Sequence, residues 1–223
     1  MLSLSFLAMT RSKSSMGLLP VALLLGGLYR MSVQTTLDRA IAAVAVALVL
    51  LVLAAVATSN WNAIAHMLED PQQFTGRAAI WQAELAYIGD HPLLGAGFGT
   101  FANTGVHSPV YFYVGSSWVS KIGEGHSGYL ELLVTIGSVG FSLALAALIV
   151  RPFFQFWRGK GVWLKNGSFL FALFGFVVLH NFMESDFLGG TSVQWGQFLL
   201  ILGFLHIAAL ERRSTGLPNI LRE

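Results

Sequence analysis

Long apolar runs separated by short polar ones occupy most of this chain, and their lengths predict membrane-spanning helices. The clearest run lies between Arg39 and Thr58, with no charge inside it. Tyr129 to Val150, Gly167 to Met183 and Val193 to Leu210 follow. A shorter run, Met16 to Tyr29, is the weakest of the set because Ser14, Ser15 and Pro20 interrupt it. Each is too long and too continuously apolar for a strand, and a membrane barrel would alternate with period two. The expected fold is therefore all-α, a polytopic transmembrane helical bundle. Residues 1–59 would form N-terminal spans, 60–128 a large outer loop with short helices, 129–210 three further spans and 211–223 a cytoplasmic tail. The first eight apolar residues, Leu2 to Met9, are too few to cross a bilayer, which needs about 20. They also lack the basic start and small-residue cleavage site of a signal peptide. The chain is expected to begin inside the end of a helix, as a truncated or split protein would.

Composition sharpens the picture. Hydrophobic residues make up 55% and charged residues 11% of the 223, where a soluble domain carries about 25% charged. That deficit excludes a disordered chain, a coiled coil and an ordinary cytosolic enzyme. A net charge of +2 without any dense Lys/Arg run excludes tracking of a nucleic-acid backbone. Cysteine is absent, so thiolate nucleophiles, disulfides and zinc–thiolate sites are excluded together.

Loop charge predicts orientation, since short cytoplasmic loops are enriched in Lys and Arg. Arg151, Arg158, Lys160 and Lys165 fill one such loop, and Arg212, Arg213 and Arg222 the tail. Both belong inside. Span parity then puts Asn60–Gly128 outside, where five acids stand against two bases. The same parity places Arg11 and Lys13 of the TRSKSS turn outside, against the usual rule. They either snorkel from a short turn or face an anionic ligand.

At 69 residues, the outer loop is long enough to carry a function of its own. A helix over 76–90 is expected, capped by Thr75, with Trp81, Leu85 and Ile88 on one stripe and Gly89 and Pro92 stopping it. Arg77 sits at its N-terminus, where backbone dipoles already supply positive charge. It either meets an anion such as a pyrophosphate or pairs with Glu84 or Asp90. The glycines of Leu93-Leu94-Gly95-Ala96-Gly97-Phe98-Gly99 have no βαβ context for a nucleotide and read as a tight turn at the membrane surface. Tyr111, Phe112, Tyr113 and Trp118 form either an interfacial belt or, with Trp81, stacking surfaces for sugars. His126, at the outer end of a span, is either a surface residue or a base with a pKa suited to neutral pH; Glu124 and Glu131 are near enough in sequence to orient it. His180 and Glu184, four apart, would share a helix face. Two ligands are too few for a metal, so with Asn181 they are expected to line a polar cavity.

Taken in order, TRSKSS, GRAAIWQAELAYIGDHPLLGAGFGTF, GHSGYLELLVTIGSVG and NFMES resemble the O-antigen ligase and polysaccharide polymerase superfamily of bacterial envelope glycosyltransferases. The resemblance covers most of the chain. It implies a metal-independent, cofactor-free, inverting transferase of the bacterial inner membrane, active on its periplasmic face. Such an enzyme moves a glycan from an undecaprenyl pyrophosphate carrier to an acceptor sugar hydroxyl. On this resemblance His126 would be the catalytic base, Arg77 with Lys13 or Arg11 would hold the pyrophosphate, and Glu131, Asn181 and Glu184 would support the site. Polymerase relatives look slightly nearer than ligases. Two departures stand out: Ser127 replaces the family's Asn after the His, and several N-terminal spans of the family are missing. An upstream membrane half or polysaccharide assembly proteins are therefore expected partners, along with the bilayer. The rival readings are a non-catalytic subunit of such an assembly and a lipid-linked glycan transporter; the latter would require paired broken helices, which the sequence does not reveal.

Overall fold

The computed structural model describes residues 13–33, 44, 51, 55, 58–62, 77–102, 104, 107–114, 125–157, 163–190 and 192–215. Every regular element among the described residues is helical. In chain order these are α1 (Lys13–Ser32), α2 (Arg77–Asp90), α3 (Val110–Val114), α4 (Gly128–Leu145), a π-helical turn (Ala146–Val150), α5 (Arg151–Trp157), α6 (Trp163–His180) and α7 (Val193–Thr215). Most of the run between Arg39 and Thr58 lies outside the described residues. Three helical stretches, Ser15–Ser32, Gly128–Trp157 and Val193–Leu210, are long and apolar enough to cross a membrane. Only about a fifth of each is buried within the protein, so large side chains such as Leu23, Leu143 and Leu200 face outward. Outward apolar surface along a whole helix is what a lipid environment requires.

The chain divides into two compact units. The first comprises Met1–Ala42, Leu145–His180 and Gly190–Glu223. Its main contact is α1 against α6, built on small residues. A Cβ at Gly26 would lie 2.6 Å from the Ser168 carbonyl and 2.9 Å from the Ala172 side chain, and Gly175 sits under Leu25. Lipid tails are as apolar as Leu, so close backbone approach rather than water exclusion holds such a pair together. Tyr29 anchors the other end of α1. Its hydroxyl donates to the Phe156 carbonyl at 2.9 Å, and its ring stacks on Phe171 at 4.8 Å. Pro20, inside α1, withholds one helical hydrogen bond, yet the helix continues through it.

The second unit comprises Ala43–Ala144 and Asn181–Gly189. Its core gathers Tyr87 of α2, Phe101, Val110 of α3 and Val134 of α4, so α2, α3 and the segment between them pack on the first half of α4. Two expectations are corrected. The helix expected to run to Met183 stops at His180, and Asn181–Met183 form a turn. His180 and Glu184 therefore do not share a helix face. The cause is Asn181: wholly buried, its Oδ1 accepts from the N–H groups of Asp186 (3.0 Å) and Phe187 (2.9 Å) and folds the chain back. The second correction concerns α4, which is broken at Gly137 (φ 63°, ψ −176°), although the sequence revealed no broken helix.

Candidate functional site

The start of α4, the N-terminal half of α2 and the Asn181–Gly189 turn converge within the second unit. Gly128 opens α4 by donating its N–H to the carbonyls of both Asn181 (2.8 Å) and Glu184 (3.0 Å). A Cβ on Gly128 would overlap Asn181 Oδ1, so only glycine permits this approach. Ser127, immediately before it, donates its backbone N–H to Ser185 Oγ at 3.0 Å, while its carbonyl accepts the N–H of Glu131 at 2.9 Å and starts the helix. These bonds hold His126 in the left-handed region at φ 52°, a conformation uncommon for a side chain with a Cβ. The backbone strain is fixed by the bonds that follow it in sequence.

Three side chains meet there. Glu184 Oε1 lies 2.8 Å from Arg77 Nη2, and Glu184 Oε2 lies 3.5 Å from His126 Nδ1. Arg77 Nη1 also donates to the Met183 carbonyl. The carboxylate thus bridges a guanidinium and an imidazole, with about a third of the Glu184 and His126 side chains open to solvent. The anion needed at the α2 N-terminus is therefore Glu184, neither Glu84 nor Asp90. Asp90 instead accepts from the Tyr113 hydroxyl at 2.8 Å. Arg77 carries five N–H donors; two are committed to these acceptors.

Behind His126 a second carboxylate pair closes on Gly125. Glu131 Oε2 accepts the Gly125 N–H at 3.2 Å, so it holds the backbone beside His126 rather than the imidazole itself. Glu84 is almost fully buried on the same glycine, where an added Cβ would overlap its Oε1. Its Oε2 finds no hydrogen-bond partner among the described residues. Burial, and then the nearby Glu131 charge, push the Glu84 carboxyl well above the usual carboxylate range, which favours its protonated form. Trp81 completes the clamp by donating Nε1–H to the Gly125 carbonyl at 3.1 Å.

The expected site residues thus sort clearly. His126, Arg77 and Glu184 come together; Glu131 and Trp81 hold the segment before His126; Asn181 holds the turn that carries Glu184. Tyr113 packs edge-on against Tyr87 at 5.5 Å, with its hydroxyl committed to Asp90. Arg11, Trp118, Glu124, Thr75 and the Lys13 side chain lie outside the described residues. Among the described residues no group of three or more His, Asp and Glu side chains is arranged to hold a metal ion. Glu84 and Ser185 had no assigned place in the site from sequence. An acid among apolar residues on the Trp81 side of α2 was the available signal for Glu84, whereas Ser185 gave none.

No curated protein and no solved structure matches the chain. The O-antigen ligase family pattern matches residues 1–145, which takes in α1, α2 with Arg77, His126 and α4. That is well over half of the sequence, and the chain belongs to the O-antigen ligase family.

Proposed function

We propose that this protein is a glycosyltransferase that moves a glycan from undecaprenyl pyrophosphate to an acceptor sugar hydroxyl on the outer face of the bacterial inner membrane. The carrying observation is the Arg77–Glu184–His126 bridge. With Nδ1 turned to Glu184, the imidazole presents Nε2 to an incoming hydroxyl. Nε2 takes the hydroxyl proton as its oxygen attacks the anomeric carbon, the bond to the pyrophosphate breaks, and configuration inverts. Glu184 stabilises the imidazolium that forms, as an orienting carboxylate does for a general base. Lipid pyrophosphate leaves without protonation when cations meet its developing charge. The uncommitted donors of Arg77, with Lys13 or Arg11, are assigned that task. The basic loop at Arg151–Lys165 and the tail are assigned to the cytoplasm.

Polymerase and ligase differ only in the acceptor, another lipid-linked repeat or a terminal acceptor, and polymerase is the preferred reading. The test is made in the parent cell, with the gene deleted and then restored as wild type or His126→Ala. Single lipid-linked repeats accumulating in the His126→Ala strain mean a polymerase. Long lipid-linked chains that never reach their acceptor mean a ligase. Surface glycans indistinguishable from the wild-type strain would overturn the assignment of His126 as base.

A further inference from the structure

The broken helix carries an inference that does not depend on the reaction. In an unbroken α4 the N–H groups of Ser138 and Val139 would bond the carbonyls of Val134 and Thr135. The backbone at Gly137 separates those partners. The outer loop replaces all four. Pro92 and Leu93 carbonyls accept from Ser138 (2.8 Å) and Val139 (3.4 Å), while Ala96 and Gly97 donate to Val134 and Thr135, each at 2.8 Å. Two glycines make room for the exchange. A Cβ at Gly95 would stand 2.6 Å from the Val134 carbonyl, and one at Gly137 would overlap the Leu93 carbonyl.

Such reciprocal pairing is what irregular backbone needs inside hydrocarbon, where water cannot serve the freed groups. The depth agrees. Gly137 lies nine residues into the 30-residue apolar helix Gly128–Trp157, roughly 13 Å along its axis. The side chains agree as well. Pro92–Phe98 contains no polar side chain, and Leu93, Leu94 and Phe98 are 63%, 78% and 65% exposed. Val139, whose N–H bonds the Leu93 carbonyl, is also exposed, so the loop continues the outward apolar face of the helix. A loop bathed in water would have no reason to present three large apolar side chains while pairing its backbone with a helix.

We propose that Pro92–Gly99 is a re-entrant element that enters the bilayer beside α4, with Leu93, Leu94 and Phe98 against lipid chains. The chain has no cysteine, so Leu94→Cys or Phe98→Cys gives a single spin-labelling site. Gly89→Cys, in open space near the exposed end of α2, serves as the aqueous control. The full chain is reconstituted in phosphatidylethanolamine–phosphatidylglycerol liposomes, and label relaxation by oxygen is compared with relaxation by a water-soluble nickel chelate. Labels at 94 and 98 are expected to respond several-fold more to oxygen than to the chelate, and the label at 89 the reverse. Chelate-dominated relaxation at 94 and 98 would place the loop in water and overturn the proposal. Shielding from both reagents would mean that protein, a partner or a second copy, covers the loop, and would overturn it equally. The readout requires no transferase activity, so it stands or falls apart from the proposed reaction.

Discussion

Replacing Glu184 by Gln is the most informative single change at the site. Gln keeps the volume and an oxygen for Arg77 but removes the charge that faces His126. At 3.5 Å, an imidazolium and a carboxylate attract by about 5 kcal/mol in an effective dielectric near 20. With about a third of each side chain exposed, solvent screening cuts that to about 1 kcal/mol. If the attraction acts only once the imidazole has taken the proton, its loss appears in kcat, as a fall of roughly 5-fold. The assay is glycan transfer from lipid-linked donor by protein in membranes, with kcat and KM measured separately. In a His126→Ala background the same substitution should cost almost nothing further, because the two residues act as one unit. An unchanged kcat, or losses that simply multiply in the double variant, would refute the coupling.

Three further outcomes follow from the same geometry. Because the Glu84 carboxyl is raised above its ordinary 4.5, the folded state holds a proton that the unfolded chain releases. Its contribution to stability is full below about pH 4.5, declines as pH rises and is lost once pH passes the folded-state pKa, by at most about 1.4 kcal/mol per pH unit. Glu84→Gln should flatten the fall of Tm with pH in detergent, and parallel curves for the two proteins would contradict a raised Glu84 carboxyl. Asn181→Ala removes the shared acceptor of the Asp186 and Phe187 N–H groups, at about 1–3 kcal/mol for each donor left unsatisfied, and should lower Tm markedly; an unchanged Tm would show that the turn holds itself. Gly137→Ala forces a Cβ into a glycine-only conformation, about 1–3 kcal/mol, as well as into the Leu93 carbonyl. Limited proteolysis should then cut faster around Leu94, and unaltered cleavage would argue against the docked loop.

The helical architecture was legible because it rests on composition and run length, which need no tertiary information. The Lys13–Ser32, Arg77–Asp90 and Val193–Thr215 helices follow from local apolar runs and stops. What local reading missed depends on partners distant in sequence. Glu184 lies 58 residues from His126 and 107 from Arg77, so proximity along the chain pointed instead to Glu124 and Glu131, and to Glu84 and Asp90. The misplaced cation at the α2 N-terminus was a sound signal that an anion is near, but electrostatics alone does not say which. Helix α6 stopped early for a similar reason. Asn181 is a tolerable residue in a helix by propensity, and its bonds to the distant N–H groups of Asp186 and Phe187 turn the chain back there. The break at Gly137 escaped notice because Gly137-Ser138-Val139-Gly140 lies inside a strongly apolar run, where glycine also serves close packing between helices.

A broken membrane helix ordinarily raises the case for transport, since unwound carbonyls and half-helix ends coordinate ions and substrates in many transporters. Here the four groups that the break releases are all taken by Pro92, Leu93, Ala96 and Gly97. None of these four needs an ion or a substrate to satisfy it. The ionisable cluster instead stands at the opening of α4, where Gly128 receives the Asn181–Glu184 turn, nine residues before the break. In that arrangement the break is a socket for Pro92–Gly97. Seating Pro92–Gly97 against α4 fixes the C-terminal end of α2, whose last residue is Asp90, and so sets the helix that carries Arg77 toward Glu184 and Trp81 toward Gly125. The physical consequence is a division of labour along α4: its opening at Gly128 receives the segments that carry His126 and Glu184, and its interrupted middle supplies the footing on which α2 brings Arg77 to them.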